Sequence, residues 1–175
     1  MPYLVIAASL NPQSRSRILA RAARDAFQKQ GEEAILFDLA KHPLPLCDGD
    51  AAYNDPNVRE ISRMVRAAEG ILLATPIYNF DANAAAKNLV ELTGNAWKDK
   101  VVGFLCAAGG KSSYMSVMGL ANSLMLDFRC LILPRFVYAT GDAFTDEAIA
   151  DADVRDRLAE LVTALIGLSR AIARG

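Results

Sequence analysis

Short apolar runs alternate along this chain with segments in which apolar residues recur at helical spacing. The runs predict β-strands over residues 3–8, 33–38, 71–75, 101–106 and 130–139. The spaced patterns predict helices over 15–30, from Asp55-Pro56 onward, over 83–93, over 112–127, and from about 146 or 151 to 173. A stretch rich in proline and aspartate over 41–56 predicts a long loop. The chain is therefore expected to alternate strand and helix throughout.

Strands that are apolar along their whole length, separated by amphipathic helices, indicate a parallel sheet covered on both faces. Five strands with this spacing favour an α/β, flavodoxin-like three-layer sandwich with a five-stranded parallel sheet of order 2-1-3-4-5. In that order strand 1 lies between strands 2 and 3, and ligands bind beyond the carboxyl ends of the strands at this switch point. We therefore expect the loops after strands 1, 3 and 4 to converge.

Composition narrows the setting of this fold. The 175 residues fit a single domain covering 1–175, and 53% hydrophobic residues predict a large core. A net charge of −1 without basic clusters argues against a nucleic-acid partner, and no apolar run reaches membrane-spanning length. No signal-peptide pattern opens the chain. The cysteines Cys47, Cys106 and Cys130 fit neither a disulfide framework nor a metal site, so we expect a cytoplasmic protein that acts on a small molecule.

The most distinctive stretch is the turn after strand 1, where the first helix begins. It contains three serines and two arginines: Ser9, Ser14, Arg15, Ser16 and Arg17. Amides in a first helical turn have no partner within the helix, and the helix dipole is positive there. Hydroxyl and guanidinium groups added to such a turn favour a phosphate cradle. The alternative is ordinary capping by one serine beside solvated arginines.

Two further loops carry groups suited to a flat ring. The loop after strand 3 contains Pro76, Ile77, Tyr78 and Asn79. The loop after strand 4 contains Ala108, Gly109, Gly110 and Lys111. Aromatic and amide side chains line a ring, while small residues let it approach backbone donors. A packed Pro-Asn turn and a flexible glycine loop are the alternatives, but all three loops together describe a crevice for FMN.

These loops resemble the NADPH-dependent FMN reductase family over roughly residues 3–140. The family's first loop reads approximately Gly-Ser-x-Arg-x-x-Ser-x-Asn. Ser9 and Ser14 match it, Asn11 stands at the arginine position, and Ser16 stands where asparagine or threonine is common. The second signature, approximately Thr-Pro-Glu-Tyr-Asn-x-Ser-x-Pro with a later Leu-Lys-Asn, is matched at Thr75, Pro76, Tyr78, Asn79, Lys87 and Asn88. It differs at Ile77, Asp81, Asn83 and Ala86.

The resemblance implies an enzyme that transfers hydride from NADPH or NADH through bound FMN to a flavin, a quinone or a similar small acceptor. It implies that the first loop, with Asn11 among its residues, holds the FMN phosphate. No catalytic side chain is expected, because the flavin itself carries the redox chemistry. Two alternatives stay open: an electron-carrier flavoprotein that reacts poorly with NAD(P)H, and a relative that binds no flavin.

The helix predicted over 112–127 carries apolar residues around most of its circumference. A helix that covers a sheet needs one apolar stripe, so a second apolar face predicts a partner. The simplest partner is a second copy of the chain, with this helix and the neighbouring helix over 83–93 at the contact. The alternative is that the last helix or the 41–56 loop covers this face. The family resemblance also points to a homodimer or homotetramer.

Overall fold

The computed structural model describes residues 2–173, and strands and helices alternate along them as the patterning predicts. The strands are β1 (Tyr3–Ala7), β2 (Ala34–Asp38), β3 (Ile71–Tyr78), β4 (Asp81–Ala82), β5 (Val101–Ala108), β6 (Leu131–Ile132) and β7 (Val137–Thr140). The helices are α1 (Arg15–Lys29), α2 (Pro56–Ala67), α3 (Ala84–Thr93), α4 (Met118–Phe128) and α5 (Ala152–Ala173). Short 3-10 turns lie at Ala51–Asn54, Gly94–Trp97, Lys111–Val117 and Gly141–Ala143.

The predicted sheet order is confirmed at five lateral positions. The order is β2-β1-β3-β5, with β6 and β7 sharing the far edge beside β5. All of these pairs are parallel. Strand β1 therefore lies between β2 and β3, and the loops that follow β1, β3 and β5 open at one edge of the sheet.

The single strand predicted over 130–139 is wrong, because the structure divides it into β6 and β7. The register against β5 shifts by two residues between the pairs Val101–Leu131 and Leu105–Val137. Pro134 has no amide to donate to the ladder, and Arg135 adopts a left-handed φ of 57°. These two residues interrupt the pairing and bulge the edge strand.

The prediction of a five-stranded, wholly parallel sheet is also wrong in one detail. Strand β3 continues three residues past its predicted end at 75 and folds back through a tight turn into β4, which pairs with it antiparallel. Asn79 and Phe80 form this turn with left-handed φ values of 51° and 62°. The sheet thus has seven strands, and its extra hairpin stands at the edge where ligands are expected.

Two apolar layers hold the helices against the sheet. One buried cluster joins α1 and α5 to one face, with Leu19, Phe27 and Leu161 among its members. The other joins α2, α3 and α4 to the opposite face, with Ile61 and Leu124 among its members. The three-layer sandwich is therefore confirmed, and the cores contain apolar residues on both sides of a fully buried central sheet.

Helix boundaries follow local chemistry. Helix α2 begins as predicted, since the Asp55 carboxylate accepts from the amides of Asn57 and Val58 at 2.8 and 3.2 Å. The helix predicted from 112 instead opens with the 3-10 turn Lys111–Val117, where serine hydroxyls compete with helical hydrogen bonds. The last helix begins at Ala152, near the later of its two predicted starts. Among residues 2–173, no helix has the length and apolar character needed to cross a membrane.

Candidate functional site

The turn between β1 and α1 presents two buried serine hydroxyls at a helix N-terminus. Ser14 is the N-cap residue of α1, and its Oγ lies 2.8 Å from the Oγ of Ser16. Ser14 makes no capping hydrogen bond to the described helix. The amides of Arg15 and Ser16 open the helix and therefore have no acceptor within it. The turn combines two hydroxyls, two amides and the positive end of the dipole, which together can hold an anion.

Arg17 holds this turn in shape. Its Nε and Nη2 donate to the Asp38 carboxylate at 2.7 and 3.3 Å. The remaining N–H groups donate to the carbonyls of Ser9, Asn11 and Pro12 at 2.8 to 3.1 Å. A guanidinium has five N–H donors, so the protein itself satisfies all of them. Arg17 is therefore a structural element of the turn, with no donor left for a ligand.

Arg15 has the opposite surroundings. Its exposed guanidinium lies flat against Gly141, so closely that a Cβ on that glycine would come within 2.6 Å of Nη1. Nearby, a hydrogen bond from the Thr140 hydroxyl, assisted by the positive charge of Lys111, holds the pKa of Asp142 below its usual value. Among the described residues, Arg15 has no ion-pair or hydrogen-bond partner for its guanidinium. It is the arginine of this turn that remains free to meet an anion.

Asn83 joins the carboxyl ends of β1 and β3 beneath the crevice. Its Nδ2 donates to the carbonyl of Ala8 at 2.8 Å, and Thr75 Oγ1 donates to its Oδ1 at 2.9 Å. Both side chains are buried. Sequence reasoning recorded Asn83 only as a departure from a motif, since nothing in the chain announces a contact to a residue 75 positions away.

The three loops meet in one crevice of about 900 Å³, within the size range of small-molecule and cofactor sites. Nine predicted residues line it: Asn11, Ser14, Arg15, Ser16, Pro76, Ile77, Tyr78, Ala108 and Gly109. Four others lie outside its lining: Ser9, Asn79, Gly110 and Lys111. Ser9 is buried behind the turn, where its Oγ accepts from the Asn11 amide at 3.3 Å, and Asn79 sits at the tip of the β3–β4 hairpin.

Sequence reasoning missed one wall of the crevice. The loop between β7 and α5 contributes Phe144, Thr145, Asp146 and Glu147, and residues Pro12, Gln13, Ile18 and Ala107 complete the lining. Two of the missed side chains are acidic. Only the topology could have revealed them, because the loop after the edge strand also opens at the carboxyl end of the sheet.

Metal or thiol chemistry has no support at this site. Within the described part of the chain, no three His, Cys, Asp or Glu side chains form a group able to hold a metal ion. Burial raises the pKa of Cys106 to about 12 and that of Cys130 to about 11. Neither thiol ionises near neutral pH, so neither is a nucleophile.

Comparison with known proteins identifies the family. A family model described as NADPH-dependent FMN reductase matches residues 1–145. The chain belongs to the NADPH-dependent FMN reductase family. The expected family and FMN cofactor are thereby confirmed, and this family member is an FMN-dependent NAD(P)H oxidoreductase.

Curated relatives of this FMN reductase family member carry related names. An NAD(P)H-dependent FAD/FMN reductase of Geobacillus thermodenitrificans is 28% identical over 144 residues, which cover 80% of this chain and 77% of the relative. An NADPH azoreductase of a Bacillus species is 28% identical over 143 residues, which cover 81% and 78% of the two chains.

Solved structures show the same fold. The flavoenzyme NAD(P)H:(acceptor) oxidoreductase FerB from Paracoccus denitrificans superposes with a TM-score of 0.78 at 18% identity, covering 97% of both chains. The apo form of the NADH:FMN oxidoreductase EMOB superposes with a TM-score of 0.79 at 16% identity, covering 94% of this chain and 87% of its own.

The residues of this chain fit FMN. The buried Ser14 and Ser16 hydroxyls, unused for capping, and the unpaired Arg15 guanidinium form a donor set that suits a phosphate. The crevice continues from this turn past the side chains of Pro76, Ile77 and Tyr78, which suit the flatter and less polar part of the cofactor.

Proposed function

We propose that FMN binds in this crevice with its phosphate against the β1–α1 turn and its ring between the ends of β3 and β5. The single crevice in which nine predicted residues from three loops meet is the observation that carries the proposal. Ser14, Arg15 and Ser16 bind the phosphate, with the free amides of the first helical turn. Residues 76–78 and 108–109 contact the ribityl chain and the ring.

Bound FMN would accept hydride from NAD(P)H and pass it to a flavin, a quinone or a similar small acceptor. The protein binds and orients the rings, and no side-chain base is needed for this transfer. A single crevice serves both the reductant and the acceptor in this proposal. Steady-state kinetics should therefore follow a ping-pong pattern, and intersecting double-reciprocal lines would contradict the shared crevice.

The choice between NADH and NADPH follows from the charges that line the crevice. Arg15 is the one cationic side chain among the described lining residues, and the proposal places it at the FMN phosphate. Asp146 and Glu147 also line the crevice. A 2′-phosphate would find no further cation there, so we propose similar kcat/KM values for NADH and NADPH. A preference of more than about tenfold for NADPH, about 1.4 kcal/mol, would point to a cation outside this lining.

The decisive experiment is an absorbance spectrum of the purified protein reconstituted with FMN, followed by NADH or NADPH without oxygen. Bound flavin that bleaches rapidly and recovers on addition of a quinone supports the proposed reductase. Bound flavin that bleaches slowly, with efficient electron exchange with protein partners, would favour an electron carrier. Failure to bind FMN would overturn the cofactor placement.

We propose that the protein assembles as a homodimer or homotetramer through α4 and the neighbouring α3. Three large apolar side chains on or near α4 are unusually open to solvent: Phe80 is 66% exposed, Met115 61% and Leu126 84%. Light scattering at low micromolar concentration should give more than one chain mass. Met115→Asp combined with Leu126→Asp should give soluble monomers, and a wild-type monomer would overturn the proposal.

We propose a reducing, cytoplasmic setting for this enzyme. The three cysteines form no disulfide with one another, which supports this setting because disulfides are rare in the cytosol. Fractionation of cells that express the tagged protein would test it.

A further inference from the structure

The glycine-rich turn after β5 is held by a chain of two hydroxyl hydrogen bonds. Tyr138 Oη donates to the carbonyl oxygen of Gly110, and Ser113 Oγ lies 2.7 Å from the same Oη. A carbonyl only accepts, so the single hydroxyl proton of Tyr138 is committed to Gly110. Ser113 must therefore donate to Tyr138. The order of donation is fixed: Ser113 to Tyr138 to Gly110.

Fixing the Gly110 carbonyl also fixes the next amide. In a trans peptide the carbonyl of one residue and the N–H of the next point in opposite directions, and the described chain has no cis peptide bond. The carbonyl of Gly110 points toward Tyr138 on β7, so the N–H of Lys111 points away from β7. Strand β5 lies between β7 and β3, which places β3 on the side to which this N–H points.

The Lys111 amide has no competing acceptor within its own turn. Lys111 is the first residue of the 3-10 turn Lys111–Val117, and the amides that open such a turn lack a partner inside it. The end of β3 that this amide faces carries Ile77 and Tyr78, two residues of the crevice lining. The amide is therefore a donor aimed at the end of the crevice opposite the serine turn.

We propose that Tyr138 is a positioning residue, which aims the Lys111 amide at the ring edge of bound flavin. The proposal rests on the FMN placement proposed above. It gives a role to Lys111, which lies outside the crevice lining as a side chain but whose backbone N–H faces the crevice. Tyr138 does not touch the ligand and acts only through the 110–111 peptide.

The chain offers a matched control for the Tyr138 hydroxyl. Tyr114 stacks on Phe136 with ring centroids 4.8 Å apart and meets Tyr138 edge-on at 5.4 Å. Its hydroxyl makes no hydrogen bond to another residue in the part of the chain that the structure describes. Tyr138→Phe and Tyr114→Phe thus delete one hydroxyl each from the same aromatic cluster, and only the first releases the peptide.

The test compares dissociation constants of FMN, riboflavin and lumiflavin for wild type, Tyr138→Phe and Tyr114→Phe. Losing the fixed amide should weaken binding of all three ligands in Tyr138→Phe alike, by about three- to tenfold, because all share the ring. Tyr114→Phe should bind them as wild type does. In the ligand-free protein, hydrogen exchange over residues 109–113 should be faster in Tyr138→Phe alone, with unchanged Tm in Tyr114→Phe.

The outcomes separate this inference from the proposed function. Wild type that binds FMN, with Tyr138→Phe binding all three flavins equally well, overturns the role of Tyr138 and leaves the function standing. A loss confined to FMN, with lumiflavin unaffected, also overturns it, because the effect would then lie at the phosphate. Wild type that binds no flavin overturns the proposed function and this inference with it, whatever the hydrogen exchange shows.

Discussion

The turn after β1 and the turn after β5 stand at opposite ends of one crevice and are held in very different ways. Five hydrogen bonds from the buried Arg17 guanidinium fix the first turn, two of them to Asp38. The second depends on the hydroxyl chain through Tyr138. The phosphate end is therefore formed before any ligand arrives, whereas the ring end is free to adjust.

The difference suits the two parts of the proposed ligand. A phosphate has a constant charge, and a turn prepared in advance binds it without reorganisation. The ring must share its space with a succession of reductants and acceptors, so a lightly held wall is an advantage there. The β3–β4 hairpin belongs to the same ring end, and its tip residues Asn79 and Phe80 are held at left-handed φ.

The largest predicted effect tests the phosphate end. Arg17→Ala should lower the free energy of unfolding of the ligand-free protein by about 3–5 kcal/mol, because it leaves the buried Asp38 carboxylate and three loop carbonyls without their donor. For a chain of this length the Tm should fall by roughly 6–20 °C. Thermal and denaturant unfolding of ligand-free protein measure the change.

Arg24→Ala is the control for the loss of an arginine. Arg24 pairs with Asp25 on the surface, where both side chains are well exposed, so its removal should change stability by less than about 1 kcal/mol. An equally small loss in Arg17→Ala would show that the turn after β1 is no better fixed than the turn after β5.

Comparing Arg15 with Arg17 shows what the sequence can and cannot reveal. Both arginines follow a serine at the start of α1, and the sequence offers both equally to a phosphate. Their roles separate only because β2 brings Asp38 beside Arg17, 21 residues along the chain, and the turn before α5 brings Gly141 beside Arg15. The crevice itself was predictable, since hydrophobic periodicity gives the strand order and the order says which loops meet.

The second prediction concerns the serine hydroxyls. Ser14→Ala should remove a charge-assisted hydrogen bond of about 1.5–3 kcal/mol, which weakens FMN binding tenfold or more. Riboflavin lacks the phosphate, so its dissociation constant should not change. Fluorescence titration with both ligands gives the comparison.

Ser62→Ala on the half-buried face of α2 is the control, and it should bind both ligands as wild type does. If Ser14→Ala and Ser16→Ala both keep wild-type FMN affinity, the phosphate lies elsewhere, and the contrast between the two ends of the crevice loses its functional meaning.

The third prediction separates the place of Arg15 from its charge. A Cβ at Gly141 would come within 2.6 Å of Arg15 Nη1, so Gly141→Ala should push the guanidinium aside. FMN binding should weaken about fivefold, or about 1 kcal/mol, with little change in Tm because the side chain that moves is flexible and exposed. Gly167→Ala, where an added Cβ meets nothing within 4 Å, controls for the loss of a glycine.

A double-mutant cycle makes this test specific. If Gly141 acts through Arg15, then Gly141→Ala should have no effect on FMN affinity in an Arg15→Ala background. Additive losses would mean that Gly141 affects the crevice by some other route, such as the shape of the turn before α5.

The smallest effect, and the only stabilising one, comes from the ring end. Phe80 is a bulky residue at φ 62°, where a Cβ costs about 1–2 kcal/mol, and its ring is largely exposed. A two-residue hairpin turn with both φ values positive prefers glycine at its second position. Phe80→Gly should therefore raise the free energy of unfolding by about 0.5–1 kcal/mol, less than the full strain because glycine gains entropy in the unfolded chain.

Phe80→Ala distinguishes relief of backbone strain from loss of the ring. It removes the same aromatic side chain but keeps a Cβ at positive φ, so it should not stabilise the protein. If both variants raise the Tm equally, the gain comes from removing an exposed ring, and the hairpin stores no strain. If only Phe80→Gly raises the Tm, the ring end is held under backbone strain as well as by few bonds, whereas the phosphate end has neither feature. Flavin affinity measured on the same two variants then shows whether the strained position serves binding: a loss in both would assign that role to the ring of Phe80 rather than to the shape of the turn.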